Sequence, residues 1–228
     1  MCGLFYRAQP IYALQLNAVN QHIQIKFNIK KVTHFIMPDK IAIRNQVLEK
    51  RNSLAPDILD KARKTAADKL ILMEEYLHAN TVMAYMDFRN EVPTGEIIEH
   101  IRRDGKNLIL PFTNKDFSLT PYEIPREGAL ADYLITSGYG IPEPNPDLCK
   151  KADANSIDLI IIPGSAFDQY ENRMGYGKGC YDKFLASLPS KTFKLALAYD
   201  FQVLPCIPAD ITDVKMDKIL TIGTGVHG

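Results

Sequence analysis

Residues 157–182, "IDLIIIPGSAFDQYENRMGYGKGCYD", hold the strongest fold signal in the chain. The segment begins with an apolar run that ends at Pro163-Gly164, as expected of a strand that is buried on both faces of a sheet. Glycines then occupy alternate positions at 175, 177 and 179, and an amphipathic run follows the last of them. A buried strand, a glycine-rich loop and a helix in this order predict one unit of a parallel α/β sheet.

The rest of the chain continues this alternation of strands and helices. Apolar runs predict further strands at 81–88, 107–111, 194–200 and 218–223, and helical periodicity predicts helices at 40–51, from Pro56 onward and from Thr94 to about Arg103. The proline-rich region 112–156 predicts loops and an antiparallel pair. We therefore predict an α/β fold, a three-layer α/β/α domain with a mainly parallel central sheet.

Composition narrows the classes of function. The 228 residues are 46% hydrophobic, and 27 basic residues balance 27 acidic ones. A formal net charge of zero supplies no overall field for nucleic acid, so we expect no nucleic-acid partner. No apolar run approaches the roughly 18 residues of a membrane span, so we expect no membrane partner. The four cysteines form no CxxC pair, which argues against a zinc site.

The N-terminus differs from the rest of the chain, because the first acidic residue is Asp39. We predict that residues 1–36 are a dispensable extension and that 37–228 form a single domain, with Met37 as a candidate start. Asp39 would then be the N-cap of the first helix. A targeting segment for organellar import and an additional ordered element are the alternatives for 1–36. We expect a cytoplasmic protein that acts as a monomer.

The glycine loop suits an anion. Alternating glycines allow successive backbone N–H groups to turn toward one phosphate, and a helix that begins near Gly179 adds its positive end. Arg173 and Lys178 would add full charges. The pattern matches neither GxxxxGK[ST] nor GxGxxG, so a purely structural glycine turn remains the alternative.

Carboxylates near this loop indicate a metal. Asp182 follows Gly179 by three residues and would face the same site from the first turn of the helix. A carboxylate beside a polyphosphate makes sense chiefly when Mg²⁺ lies between them. Asp213 and Asp217, in a late loop, are further candidates, and solvated surface charges are the alternative reading for both.

Together these segments resemble the 5-formyltetrahydrofolate cyclo-ligase family, also called methenyltetrahydrofolate synthetases. The family motif is close to PGxAFDxxGxRLGYGKGYYDRFL, and this chain reads PGSAFDQYENRMGYGKGCYDKFL. The segments KIAIRNQVLEKRNSL, MAYMDFRNEVPTGEII and KLALAYDFQVLPCIPADITDVKMDKIL match in the same order, so the resemblance runs from about Lys40 to Leu220.

The resemblance implies a NagB/RpiA-like, Rossmann-type fold and an ATP-dependent ligase. The implied reaction closes 5-formyltetrahydrofolate to 5,10-methenyltetrahydrofolate and releases ADP and phosphate, with Mg²⁺ as cofactor and ATP as co-substrate. In this reaction the γ-phosphoryl group activates the formyl oxygen and N10 then attacks.

The resemblance also implies roles for particular residues. Lys178 and Arg173 would be catalytic cations, and Asp182 and Asp213 would bind Mg²⁺. Folate would contact Met86, Glu91, Tyr176, Gly177, Lys178, Gly179 and Cys180. ATP would contact Lys40, Arg44, Arg173, Met174, Gly175, Tyr176, Gly177, Lys178, Gly179, Cys180 and Tyr181.

Three departures from the family motif matter. Cys180 replaces a tyrosine, which removes an aromatic face and a hydroxyl beside the folate. Glu171 replaces a glycine and adds a negative charge near an anion site. Met174 for leucine conserves volume. Cys180 is the main support for a second hypothesis, a non-catalytic relative that binds folate or nucleotide. A sugar-phosphate isomerase on a similar sheet is a third.

Overall fold

The computed structural model describes residues 39–210 and 213–225. The predictions for residues 1–36 and for a start at Met37 lie outside this range. The described chain opens at Asp39, which has the N-cap position of the first helix but makes no side-chain capping hydrogen bond.

A seven-stranded sheet forms the centre of the fold. The strands are β1 Thr81–Met83, β2 Asn107–Thr113, β3 Leu119–Glu123, β6 Lys150–Lys151, β7 Leu159–Ile162, β10 Phe193–Tyr199 and β12 Lys218–Ile222. Their order is β12-β10-β7-β1-β2-β3-β6. The strands β12, β10, β7, β1 and β2 are parallel to one another. At one edge, β3 pairs antiparallel with β2, and β6 pairs antiparallel with β3. This arrangement confirms the predicted mainly parallel sheet.

Helices cover both faces of this sheet. They are α1 Lys40–Asn52, α2 Pro56–Leu70, α3 Glu74–His78, α4 Gly95–Arg103 and α5 Cys180–Ser187. Pro56 lies at the start of α2, where its missing N–H costs no helical hydrogen bond. In the described residues, no helix is both long and apolar enough to span a bilayer.

Alternation along the strands sorts the core into two layers. Leu159 and Ile161 pack in one cluster with residues of α2 and α4, whereas Ile160 and Ile162 pack in a second cluster with Phe184 of α5. Successive side chains of a strand point to opposite faces, so a fully buried strand needs apolar residues at every position. The result is the predicted three-layer α/β/α arrangement.

Two smaller sheets carry the irregular part of the chain. One has the order β11-β8-β9, made of Val203–Leu204, Ala166–Asp168 and Arg173–Met174. The other pairs β4, Leu134–Thr136, antiparallel with β5, Pro142–Pro144, as predicted for the proline-rich region. Helix α1 packs on the first small sheet, because Ile43 and Val47 share a buried cluster with Ala166 and Met174.

The first strand is shorter than the predicted 81–88. Pairing in β1 ends at Met83, and the last regular contact is the hydrogen bond from the Ala84 N–H to the Ile109 carbonyl at 2.9 Å. Beyond this point Tyr85 and Met86 line a cavity. The chain therefore leaves the sheet to form the wall of a site.

We predict that Ile161→Ala destabilises the fold by about 3 kcal/mol, because it leaves a cavity in the centre of the sheet. The free energy of unfolding in urea measures the effect. Leu72→Ala is the control, since Leu72 is 77% exposed and its loss should change that free energy by less than about 0.5 kcal/mol. Equal effects of the two substitutions would contradict the described core.

Candidate active site

A cavity of about 520 Å³ opens beyond the carboxyl ends of three parallel strands. Its wall includes Tyr85 after β1, Pro111 in β2 and Pro163 after β7. This is the edge at which open α/β sheets bind ligands. Its charged lining residues are Arg44, Arg51, Arg89, Arg173 and Lys178 on the basic side and Glu91, Glu143 and Asp182 on the acidic side.

The glycine loop precedes helix α5, as predicted, but two short strands, β8 and β9, which were not predicted, separate it from the buried strand β7. Gly177 has a φ of 102° and Gly179 a φ of 68°, conformations that a side chain makes costly. Helix α5 begins directly afterward at Cys180, with Gly179 as its N-cap. Lys178 on this loop is exposed and lines the cavity. The loop therefore brings a helix N-terminus and a lysine to one wall.

Helix α1 supplies a basic stripe beside this loop. Arg44 lines the cavity, and its Nε donates to the Gly175 carbonyl at 2.9 Å. One turn earlier, the Lys40 ammonium pairs with Asp210 at 2.6 Å and lies 3.9 Å from Asp213. The predicted pair Lys40 and Arg44 thus shares one helix face, but only Arg44 is part of the cavity wall as described.

Arg173 and Asp182 form an ion pair at the base of the loop. The guanidinium is buried, and its Nη2 donates to Asp182 Oδ1 at 2.5 Å. Its Nη1 donates to the Pro163 carbonyl at 3.3 Å, while its buried Nε has no hydrogen-bond partner among the described residues. A buried donor without a partner is unusual in a folded protein.

A second hydrogen-bond network surrounds Glu91, which also lines the cavity. Arg51 Nη1 donates to the Tyr176 hydroxyl at 2.6 Å, and that hydroxyl donates in turn to Glu91 Oε1. The other carboxylate oxygen, Oε2, accepts from the Phe88 N–H at 3.0 Å. The remaining donors of Arg51 bond the carbonyls of Phe88 and Arg89. Glu91 is thereby held in place by the glycine loop and by α1.

The loop that carries Glu91 is held at both ends. Thr94 Oγ1 donates to the Tyr85 carbonyl at 2.7 Å, and the Thr94 N–H donates to Asp87 Oδ1 at 2.9 Å. The Tyr85 hydroxyl donates to the Val92 carbonyl at 2.7 Å. These bonds satisfy the polar groups of a loop that is largely buried. Met86, half-buried on the same loop, lines the cavity beside Glu91.

Burial raises the pKa of the Glu91 carboxyl, and the charge of Arg51 and the hydrogen bonds from Tyr176 and Phe88 offset only part of this effect. The pKa of the Tyr176 hydroxyl is raised well above its usual value, first by burial and then by the Glu91 charge. Tyr176 therefore keeps its proton and remains a donor to Glu91. Its ring is half exposed and forms part of the cavity wall.

The predicted metal ligands are not assembled into a protein-only site. Among residues 39–210 and 213–225, no three His, Cys, Asp or Glu side chains come together to hold an ion. Asp182 gives one oxygen to Arg173, and Asp213 Oδ2 accepts from the Asp210 N–H at 2.7 Å. Mg²⁺ in nucleotide sites commonly takes one or two carboxylates and otherwise phosphate oxygens and water. Asp182, in the cavity wall, fits that arrangement, whereas Asp213 lies beside Lys40 and Asp210 and is not among the residues that line the cavity.

Several predicted contact residues share this cavity. Those in its wall are Arg44, Met86, Glu91, Arg173, Gly175, Tyr176, Lys178, Gly179, Cys180, Tyr181 and Asp182. Met174 differs, because its side chain is buried in the core with Ile43 and Val47. A ligand contact at Met174 would have to use its backbone.

The sequence interpretation missed two buried charged residues of the cavity, Arg51 and Glu143. Arg51 lies seven residues after Arg44 on α1, and this spacing puts both on one helix face. That periodicity could have identified Arg51. Glu143 lies in the proline-rich region, where the sequence carries no helical period and only a very short strand.

Comparisons with known proteins show which family this chain resembles. Residues 36–222 match the model of the 5-formyltetrahydrofolate cyclo-ligase family. A probable 5-formyltetrahydrofolate cyclo-ligase from Schizosaccharomyces pombe is 30% identical over 193 residues, which cover 79% of this chain and 92% of the relative.

Two solved structures share the fold. The 5,10-methenyltetrahydrofolate synthetase of Aquifex aeolicus is 28% identical with a TM-score of 0.70, and the match covers 80% of this chain and 89% of that one. The corresponding enzyme of Mycoplasma pneumoniae has 24% identity and a TM-score of 0.64, covering 80% and 98% of the two chains. The latter supports the fold alone.

We predict that Glu91→Gln changes how stability depends on pH. Because the native pKa of Glu91 is raised, the native state binds more protons than the unfolded state above pH 4.5. The free energy of unfolding that Glu91 contributes therefore falls as pH rises from 4.5 through its native pKa. Glutamine does not titrate, so the variant lacks this decrease.

Urea unfolding of wild type and variant at pH 4.5 and 7.5 measures the effect. The stability of Glu91→Gln relative to wild type should rise with pH. Glu99→Gln, an exposed change on α4, should show no such trend. A pH-independent difference for Glu91→Gln would contradict the raised pKa.

Proposed function

Because the chain belongs to the 5-formyltetrahydrofolate cyclo-ligase family, a family of ligases, we propose that it uses Mg-ATP to convert 5-formyltetrahydrofolate to 5,10-methenyltetrahydrofolate. The products of ATP would be ADP and phosphate. One observation carries the proposal. The glycine loop and the buried Glu91 face the same cavity, and Tyr176 on that loop donates directly to Glu91. Two different ligands could therefore meet at this loop.

The cationic wall suits the polyphosphate of ATP. Lys178, the N-terminus of α5 and Arg44 lie along this wall, with Lys40 one helical turn beyond Arg44. Backbone N–H groups of residues 173–181 would bind phosphate oxygens, as the positive end of a helix favours anions.

The part of the cavity around Glu91 suits the reduced pterin ring. Glu91 can accept hydrogen bonds from the amino and ring N–H groups of the pterin, since the bonds it makes leave lone pairs on both carboxylate oxygens. Met86 and the loop residues Tyr176, Gly177, Lys178, Gly179 and Cys180 would form the remaining contacts. Tyr176 and Arg51 orient Glu91, because the hydroxyl and the guanidinium leave it little freedom to rotate.

The chemistry joins these two subsites. A formamide oxygen is a poor leaving group, so the γ-phosphoryl group of ATP is first transferred to it, with ADP departing. The N10 amine then attacks the formyl carbon, the five-membered ring closes, N10 loses its proton and phosphate leaves. Phosphoryl transfer depends mainly on positioning and on positive charge around the moving group. Lys178 and Arg173 supply that charge in this proposal.

Magnesium would be held chiefly by the phosphate oxygens, with Asp182 and Asp213 as carboxylate ligands. When bound, it would neutralise charge on the transferring phosphate. Asp182 is tied to Arg173, so it also fixes the orientation of that cation. Every side chain that the proposal uses lies in this chain, and a monomer is sufficient for it.

A direct assay tests the proposal. Purified protein, Mg-ATP and 5-formyltetrahydrofolate should give the absorbance of the methenyl product and an equal amount of ADP. A non-catalytic relative is the alternative, suggested by Cys180 where the family motif has tyrosine. That alternative predicts thermal stabilisation by folate or nucleotide without release of ADP, and folded protein with this behaviour would overturn the proposed reaction.

We predict that Lys178→Ala lowers kcat/KM by about 100-fold, because it removes a cation from the phosphate subsite. Steady-state kinetics with ATP as the varied substrate measures the loss. Lys183→Ala is a matched control, since Lys183 is exposed on the next turn of α5 and lies outside the cavity wall. Equal losses in both variants would indicate a general charge effect instead.

We predict that Asp182→Asn raises the Mg²⁺ concentration for half-maximal activity by at least about 10-fold, because an amide is a weaker ligand than a carboxylate. A Mg²⁺ titration at saturating ATP measures it. Asp217→Asn controls for charge, because Asp217 pairs with Lys194 at 2.9 Å and lies outside the cavity wall. If Asp182→Asn had the same Mg²⁺ requirement as wild type, Asp182 would not be a magnesium ligand, and its only role would be the ion pair with Arg173.

A further inference from the structure

A second buried carboxylate, that of Glu143, lines the same cavity. Glu143 is the middle residue of β5, between Pro142 and Pro144, and only 5% of the residue is exposed. Buried carboxylates usually have an ion-pair partner or several hydrogen bonds. The reaction described above does not use this one, so its position needs a separate explanation.

The protein satisfies Glu143 poorly. Its Oε1 accepts from the Thr113 N–H at 3.3 Å, which is long for such a bond, and the Thr113 side chain is its other hydrogen-bonding group. No salt bridge to Glu143 occurs among the described residues. Burial raises the pKa of its carboxyl, and the hydrogen bonding to Thr113 compensates only in part. The carboxylate therefore has unused acceptor capacity inside the cavity.

The surroundings of Glu143 favour a flat, uncharged ring over a phosphate. Ile141 is two residues away, Leu119 pairs with Thr113, and Phe117 and Tyr139 line the same cavity, with the Lys178 ammonium 4.8 Å from the centroid of the Phe117 ring. The rings of Phe117 and Tyr139 lie 6.5 Å apart between centroids. A polyphosphate beside Glu143 would meet like charge in a poorly solvated place, whereas an N–H donor would supply the missing bond.

We propose that Glu143 is a substrate-binding residue that accepts a hydrogen bond from an N–H group of the reduced pterin ring. The inference rests on the folate subsite proposed above and adds a second acceptor to it. The Glu91 carboxylate accepts from two residues, Tyr176 and Phe88, and Arg51 holds Tyr176 in place, whereas Glu143 is bonded by Thr113 alone. Two acceptors on different walls would fix the orientation of the ring in its plane, which aims the formyl group at the phosphate subsite.

Glu143→Gln tests this residue with little change of shape. The amide keeps an oxygen for the Thr113 N–H but loses the charge and half of the acceptor capacity. We expect the dissociation constant for 5-formyltetrahydrofolate without ATP, and the KM for it with ATP, to rise about 10- to 100-fold. The KM for ATP should stay within about twofold of the wild-type value.

Glu123→Gln is the matched control, because Glu123 is exposed on β3, the strand that pairs antiparallel with β2. This substitution should leave the dissociation constant and the KM for 5-formyltetrahydrofolate unchanged. Glu143→Asp is the second variant, since it keeps the charge but shortens the reach. It should weaken folate binding while keeping the wild-type melting temperature within a few degrees. These measurements separate a lost contact from a folding defect.

The outcomes are distinct. Unchanged folate constants in folded Glu143→Gln would overturn the inference, and so would a rise in the KM for ATP alone, which would assign Glu143 to the adenine ring. Wild-type protein that forms no methenyl product overturns the proposed function instead. Active wild type with an unaffected Glu143→Gln variant refutes only the role of Glu143.

Discussion

A guanidinium that is buried in a protein must find partners for its donors, and Arg51 finds them in two segments distant from its own helix. Its side chain, which is 2% exposed, reaches from α1 to the carbonyls of Phe88 and Arg89 and to the Tyr176 hydroxyl. Tyr176 then bonds Glu91. One charge thereby connects the first helix, the loop after β1 and the glycine loop, and the cavity between them depends on this connection.

Helix α1 contacts both subsites. Helix α1 carries Arg44 toward the glycine loop and Arg51 toward the Glu91 loop, and its apolar side anchors both through Ile43 and Val47. A shift of α1 would move both sets of contacts together. In the proposed reaction one ligand transfers a group to the other. Because both subsites contact the same helix, the distance between the two reacting atoms stays the same when the helix moves.

The main features of the fold could be predicted from the sequence, because they rest on strong local signals. Continuous apolar runs indicated buried strands, and the alternating glycines between a strand and a helix indicated the loop at positive φ. The side chains of the cavity were harder to place. Lys40 and Arg44 were predicted as a pair, yet the ends of the two side chains separate, one toward Asp210 and the other toward Gly175.

Long-range contacts account for what sequence reasoning missed. Arg51 gains its partners from residues more than 30 positions away, and nothing near it in sequence reveals them. Met174 lies within the glycine motif but packs into the core, because β9 pairs with β8 beneath α1. Glu143 becomes buried only when the β4–β5 ribbon lies against the cavity. Each of these outcomes depends on tertiary packing, for which a short motif holds no information.

The Pro-Glu-Pro sequence of β5 also bears on how the protein avoids self-association. The bonds from the Ser137 N–H to the Ile141 carbonyl and from the Asn145 N–H to the Tyr133 carbonyl place residues 141 and 145 toward β4. Alternation along the strand then turns Pro142 and Pro144 to the other edge, where neither has an N–H to offer. At these two positions the outer edge of β5 has no N–H to donate, so this edge is a poor template for another strand.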